Sequence, residues 1–202
     1  MTVTVRPAAK SDVPAVAAVL ADAFSDDPVM EWMWPDERHR VRGLKRMFAT
    51  EATFHLLPAD GVDIAESAAG VVGGATLWAP PGAWKPSTLT TMRMMPGMIA
   101  ALGRRARVGA VVSEALEAGH PAEPHWYLSA IGTSTAARGG GYGSALLRSR
   151  LDHCDEARVP AYLESSKESN IGYYERFGFA VTGEIVIPDG GPTLWAMWRT
   201  PR

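Results

Sequence analysis

The stretch RGGGYG at 138–143 runs directly into SALLRSRL at 144–151. Glycine loses more backbone freedom on folding than any other residue and weakens a helix interior by roughly 0.5–1 kcal/mol relative to alanine. Three glycines in a row against an amphipathic helix therefore point to a need for bare backbone. Before them lies HWYLSAIGT at 125–133, which reads as a strand, and after them GYGSALLRSRLDHCDEA at 141–157 reads as a helix. Strand, glycine loop and helix in that order suit a bound phosphate. The first helical amides lack intrahelical acceptors, the helix dipole adds about half a positive charge, and glycine lets an anion approach. A tight turn with no ligand is the alternative that the glycines alone leave open.

The pattern extends outward from this unit. PAYLESS (160–166) reads as a buried strand and SNIGYYERFG (169–178) as a short helix with Gly178 at its end, and FAVTGEIVI and TLWAMWR read as two more strands. On the N-terminal side, VTVRPA alternates like a strand. Val13, Val16, Ala17, Leu20 and Phe24 mark one helical face, with Ser11 as the expected N-cap. DDPVMEWMWPDE (26–37) reads as a turn-rich break before a helix over 36–56, and GVDIAES and VVGGATLWA read as two strands meeting at a turn. PPGAWKP opens a proline-rich loop, followed by a methionine- and alanine-rich helical stretch to 118, whose place in an acceptor pocket or a subunit interface periodicity does not decide.

Composition limits the function classes. The 202 residues are 47% hydrophobic and 21% charged, enough for one domain over 1–202, and a net charge of −2 gives no reason to expect nucleic acid as a partner. No apolar run is long enough for a membrane span or a signal peptide. Cys154, the single cysteine, shares a helical face with Leu147 and Leu151 and reads as a small core residue. These features lead us to expect a cytoplasmic protein without membrane partners, monomeric or homodimeric.

Two familiar phosphate loops do not fit. A P-loop would continue Gly-Lys-Ser/Thr where Gly143 is followed by Ser144 and Ala145, and a dinucleotide fingerprint wants glycine at Ser144. A third pattern does: Arg138-x-x-Gly141-x-Gly143 resembles the acetyl-coenzyme A loop of the GNAT superfamily of N-acetyltransferases. ESNIGYYERFGF (168–179) resembles that family's other signature, through Asn170, Tyr174, Gly178 and Phe179. More narrowly, DVPAVAAVLADAF, EPHWYLSAIGT, VPAYLESS and YYERFGFAVTGEI are laid out in a way similar to puromycin N-acetyltransferase and its relatives. One departure is Thr133-Ser134-Thr135, where the family often has an aliphatic residue and a proline.

The resemblance implies an α/β (α+β) fold, a twisted mixed sheet of six to seven strands flanked by helices, with its central parallel strands splayed. It implies acetyl-CoA as co-substrate and no metal. The main chain of Arg138, Gly139, Gly140, Gly141, Tyr142, Gly143 and Ser144 would hold the pyrophosphate. Ile131, Gly132 and Thr133 would run beside the pantetheine arm, and the Ile131 amide would face the oxyanion. Asn170 would contact the coenzyme, cap a helix, or both, and Tyr174 would be the proton donor to the departing thiolate.

The acceptor is expected to be a primary amine of a small molecule of aminonucleoside or aminoacyl type, as in antibiotic resistance. The alternatives are a protein N-terminus or lysine, or a non-catalytic acyl-CoA sensor. A lysine-like amine of pKa ~10.4 is neutral about once in 2,500 molecules at pH 7, whereas an α-amine near ~7.8 is neutral more than once in ten. Glu164, a carboxylate inside an apolar strand, is the first candidate for base or ammonium anchor, with an ion pair to a helix arginine as the alternative. Asp26, Asp27 and Glu31 are second candidates on the break where the family builds its acceptor site. Trp32, Trp34, Trp78 and Trp84 are candidate aromatic walls, with core packing expected for at least two. Arg104, Arg105 and Arg107 form a basic cluster, either a solvated face or a contact for the coenzyme 3′-phosphate.

Overall fold

The computed structural model describes residues 3–202. Its elements are β1 (Val3–Pro7), α1 (Val13–Ala23), α2 (Pro28–Met33), α3 (Glu37–Glu51), β2 (Val62–Ser67), β3 (Val72–Ala79), α4 (Thr88–Leu102) and α5 (Ala106–Gly119). There follow β4 (Trp126–Thr133), α6 (Tyr142–Glu156), β5 (Ala161–Ser165), α7 (Ile171–Glu175), β6 (Ala180–Val186) and β7 (Thr193–Arg199). The strands form one seven-stranded sheet in the order β1-β2-β3-β4-β5-β7-β6, antiparallel throughout except for the central β4–β5 pair. This is the α/β architecture expected from the sequence. No described helix is long and apolar enough to cross a membrane.

The helices cover both faces. α6 lays Leu147, Leu151 and Cys154 against Trp78, Trp126, Leu128 and Leu163, together with Tyr174 and Phe179. Burial pushes the Cys154 thiol up to about 11, which keeps it an inert core residue. On the other face, Val16, Ala17 and Leu20 of α1 and Leu44 and Phe48 of α3 pack with Ile64, Leu77, Ala130 and Tyr162. α4 lies across α3, and its interior Pro96-Gly97 sits at the crossing: a Cβ on Gly97 would come within 2.2 Å of Thr50 Oγ1.

The central pair carries the decisive irregularity. β4 and β5 pair only at Trp126↔Ala161, Tyr127↔Tyr162 and Leu128↔Leu163, although β4 runs on to Thr133 and β5 to Ser165. β3 stays with β4 through Thr133, so the strands part on the β5 side alone. At the parting point the β3–β4 register steps from Leu77↔Ala130 to Trp78↔Leu128, which leaves Ser129 as a bulge.

Two local expectations are corrected. Ser11 does not cap α1: it lies in a 3-10 turn over Lys10–Asp12, because the Asp12 carboxylate accepts from Arg6 at 2.7 Å and the Ala9 amide at 2.8 Å. The break at 26–37 contains a helix, α2, because Asp27 caps it from Oδ1 to the amides of Val29 at 3.0 Å and Met30 at 3.2 Å, with Pro28 at the first position.

Two stability predictions follow from these contacts. Gly141 opens α6 at φ 84, a left-handed geometry, so Gly141→Ala should cost about 1–2 kcal/mol in urea denaturation. Asp155, at the end of α6, takes a two-pronged bond from Arg199 at 2.8 and 2.6 Å and the Arg202 amide at 2.8 Å, which hold its carboxyl below the ordinary value. A carboxylate with a depressed folded pKa stabilises above the unfolded pKa of about 3.9, and that stabilisation is lost as pH falls through the folded value. Asp155→Asn should lower the urea midpoint at pH 7 and flatten its decline below about pH 4. An unchanged decline would mean that other groups set the acid limit.

Candidate active site

The glycine loop meets the open side of β4. The first backbone bond of α6 runs from the Ala145 amide to the Gly141 carbonyl at 2.9 Å, so the amides of Tyr142, Gly143 and Ser144 have no acceptor within the helix. A cleft of about 400 Å³ runs between this turn and α7, lined by Ile131, Thr133, Arg138, Gly143, Asn170 and Tyr174. It continues between the parted strands as a smaller cavity of about 90 Å³, reaching Ser129, Glu164 and again Tyr174. The main chain of β4 beyond Leu128 therefore faces this space with no partner from β5.

Several expected side chains lie along it. Asn170 precedes α7 but makes no side-chain cap, so the capping reading gives way and its amide is left toward the cleft. Tyr174 is shared by both cavities, and burial raises its phenol well above the ordinary value, with Tyr173 and Asp27 adding to the rise. The Tyr142 ring, by contrast, is turned away and buried against Gly73, where a Cβ would come within 2.6 Å of it, so only its main chain faces the turn.

At the far end of the split, carboxylates and aromatic rings converge. Ser129, turned out by the bulge, donates its hydroxyl to Glu51 Oε1 at 2.6 Å, and burial raises the Glu51 carboxyl. The Glu164 side chain is 4% exposed, pairs with no arginine among the described residues and has no hydrogen-bond partner on Oε1; the His120 ring lies beside it, Nδ1 to Oε1 at 3.7 Å. Burial, and next the Glu164 charge, raise the phenols of Tyr127 and Tyr162, so both stay protonated. His120 stacks on Trp84 at 3.7 Å and meets Tyr127 and Tyr162 edge-on at 4.9 and 5.1 Å. The segment bearing Trp84 is tied down by His55 Nε2 donating to the Ala83 carbonyl at 2.8 Å.

The second-choice acceptor residues fare differently. Trp78 is fully buried on the α6 face, the side of the sheet away from Glu51 and Ser129, and is a core residue. Trp34 is likewise buried in the core, and Trp32 packs beside it while its carbonyl accepts from Arg105 at 2.9 Å. Asp27 lines the small cavity but is engaged as the α2 cap and by the Ser166 hydroxyl. Asp26 pairs with Lys167 at 2.8 Å on the wider cleft, and Glu31 lies at the surface 3.5 Å from Arg40. Arg104 and Arg105 line a separate hollow with Trp34 and Arg46, apart from the glycine turn, which removes the 3′-phosphate reading for them.

Sequence reasoning did not find Glu51, Ser129, Tyr127, Tyr162 or His120. Part of the signal was present: Tyr127 and Ser129 stand two apart in one strand, and Tyr162 and Glu164 two apart in the next, so four polar groups share one face of a parallel pair. Glu51 ends a helix and carries no such mark.

Comparison with known proteins agrees with this geometry. The model of the acetyltransferase (GNAT) family matches residues 17–179. A Corynebacterium glutamicum structure described as histone acetyltransferase HPA2 and related acetyltransferase superposes with a TM-score of 0.78 at 30% identity, over 100% of this chain and 98% of that one. An uncharacterised N-acetyltransferase of Schizosaccharomyces pombe is 26% identical over 187 residues, 87% of this chain and 74% of the relative. Arylalkylamine N-acetyltransferase 2 of Aedes aegypti shares the fold, with a TM-score of 0.63 at 11% identity over 100% of both chains. The parted central strands, the glycine turn and these likenesses converge on one conclusion: the chain belongs to the GNAT family of acetyltransferases and is an acyltransferase.

Proposed function

We propose that the protein transfers an acetyl group from acetyl-CoA directly to a primary amine of a small molecule. The observation that carries this reading is the continuous passage from the glycine turn, along the free main chain of β4, to the walled-in carboxylate of Glu164. The residues present fit the coenzyme: bare amides at the start of α6 suit a pyrophosphate, and unpaired strand backbone suits an amide-bearing arm. Acetyl-CoA, when bound, supplies an acetyl group activated as a thioester.

Each of this chain's residues then has a task. The amides of Gly139 and of Gly141 to Ser144, with Arg138 beside them, bind the phosphates, whereas the expected Gly140 amide is already given to the Ala137 carbonyl at 3.1 Å; Ile131, Gly132, Thr133 and Asn170 orient the arm. The Ile131 amide polarises the reacting carbonyl. Glu164 anchors the acceptor ammonium and takes its proton, and Glu51, held by Ser129, adds a second negative charge nearby. Tyr174 donates a hydrogen bond to the developing thiolate. Full transfer from a phenol of pKa about 10 to a thiolate of pKa about 8.5 would be uphill by about 2 kcal/mol, more with the rise that burial gives Tyr174.

The small cavity of about 90 Å³ at the Glu164 end of the passage favours a small amine over a peptide, and behind Glu164 the His120 ring is packed among Trp84, Tyr127 and Tyr162. An aminonucleoside or aminoacyl amine rests on the sequence layout alone. The name of the Corynebacterium glutamicum relative makes lysine peptides a necessary arm of the test. Retention of Tyr174 speaks against a pure acyl-CoA sensor, which would not need that hydroxyl.

Thiol release from acetyl-CoA should therefore be measured with puromycin, aminoacyl analogues, arylalkylamines, polyamines and lysine peptides. We expect turnover with one small-amine class; turnover with lysine peptides alone would replace this reading. Tyr174→Phe should lower kcat about 10²-fold with little change in KM for acetyl-CoA. Glu164→Gln should cost more kcat/KM with an amine of pKa near 10 than with one near 8, because only the former depends on assisted deprotonation. Equal losses for both would remove Glu164 as base.

A further inference from the structure

The polar cluster beyond Glu164 contains a chain of hydrogen bonds whose direction is fixed at one end. His125 Nδ1 lies 2.6 Å from the main-chain carbonyl of Glu123, and a carbonyl can only accept, so this nitrogen carries the hydrogen. Burial lowers the pKa of His125 and so favours the neutral ring, whose Nε2 is then a bare acceptor. His120 Nε2 lies 3.0 Å from that atom and must donate. In a neutral His120 this leaves Nδ1 with a lone pair, aimed at the unpartnered Oε1 of Glu164 at 3.7 Å. Two lone pairs facing one another inside a protein form a slot for one proton.

Resting on the reading of Glu164 as the acceptor's base, we propose that His120, held in one tautomer by His125, is a proton relay behind it: the proton taken by Glu164 passes to Nδ1 of His120 during the reaction and returns through Glu164 to the water of the cleft once the product has left. The proton balance is simple. Amide formation removes two protons from an ammonium; one offsets that accepted by the departing thiolate, and the other must leave the site. Glu164 Oε1 takes that proton from nitrogen and gives it to His120 Nδ1, regenerating the carboxylate. The resulting imidazolium has lost no other bond, since its Nε2–H still donates to His125. It discharges back through Oε1 of Glu164 to the water of the cleft once the product has left, which restores the starting tautomers, because the Glu123 carbonyl accepts the hydrogen bond of His125 Nδ1–H but cannot take up its proton.

The surroundings of His120 suit this role. Its side chain is 1% exposed, so bulk water does not serve as its proton acceptor. Trp84 covers one ring face, Tyr127 and Tyr162 stand edge-on with protonated hydroxyls, and Glu164 is the carboxylate beside it, with Glu51 beyond Tyr127. Lys85 lies above the Trp84 ring, where it is paired with Glu117. His120 and His125 act on the acceptor only through Glu164, and are positioning residues in that sense.

The test is nitrogen-resolved NMR of the full chain labelled in its histidines, titrated from about pH 9 to about pH 5, without coenzyme or acceptor. The relay requires His125 protonated on Nδ1 and bare on Nε2, and His120 protonated on Nε2 and bare on Nδ1, with acid adding the proton at Nδ1. Glu164→Gln should move the His120 Nδ1 resonance and leave the His125 pattern unchanged, because Glu164 faces that nitrogen and does not touch His125. The opposite tautomer at His120 in the wild type, or an Nδ1 resonance indifferent to Glu164→Gln, overturns the proposal; the tautomers need no variant and stand even if Glu164→Gln fails to fold. With puromycin as acceptor, His120→Gln should lower kcat at pH 7 about tenfold to a hundredfold and recover toward pH 9, a pattern that lost packing would not give. A loss equal at all pH values overturns the relay. No turnover with any amine, beside an intact histidine pattern, would count against amine acetylation and not against the relay.

Discussion

The parting of β4 from β5 after Leu128 is the constraint to which the rest of the structure answers. Buried main-chain donors and acceptors are nearly always paired, so a sheet that opens at its centre forgoes ladder bonds where they are normally most secure. The opening persists because each strand is held from its far side, β4 by β3 through Thr133 and β5 by β7 through Ser165↔Trp195. Asp27 reaches across from the α2 cap to Ser166 at the end of β5, and Ser129 on β4 is drawn to Glu51. The unpaired edge is thus a strand vacancy of fixed width, and an extended ligand with its own amides can complete it.

The bulge at Ser129 lets one strand serve two faces. Regular alternation would place Leu128 and Ile131 on opposite sides of the sheet, yet both belong to the α6 side. The extra residue changes the parity, so that Ser129 turns to α3 and Ala130 enters the core beneath α1. Without that step, the polar face set by Tyr127 and Tyr162 would continue directly beside the coenzyme cleft. With it, polar chemistry gathers at the closed end and main chain dominates the open end.

How much of this was legible in the sequence depends on how local each cause is. The glycine turn, the α6 face of Leu147, Leu151 and Cys154, and the Tyr174–Phe179 stretch are local patterns, and the structure builds each where the residues placed it. Asp27 was read as a loop carboxylate because its cap bonds exist only once Pro28 starts a helix. Trp78 was placed at the acceptor by its neighbourhood in sequence, but strand parity in β3 sends its ring to the α6 core. Glu51, His120 and Glu164 come together from three separate elements, and only the sheet order and the cover formed by the 80–124 segment unite them.

That cover explains why so many ionisable groups tolerate burial. A carboxylate in an apolar setting is costly unless paired, and Glu164 lacks the arginine that would usually accompany it. Trp84, Tyr127 and Tyr162 surround the neighbouring His120 ring with a stacked face and two edges, so the group beside Glu164 is held in place by aromatic packing. Among the described residues, no lysine or arginine supplies the other half of the charge pair, so Glu164 carries its burial cost without a cationic side chain of that kind. A permanently paired lysine or arginine at this place would satisfy the carboxylate. With Oε1 left without a partner, the cost of burying the carboxylate stays in the free protein, and a positively charged group brought beside it would offset more of that cost than a neutral isostere could.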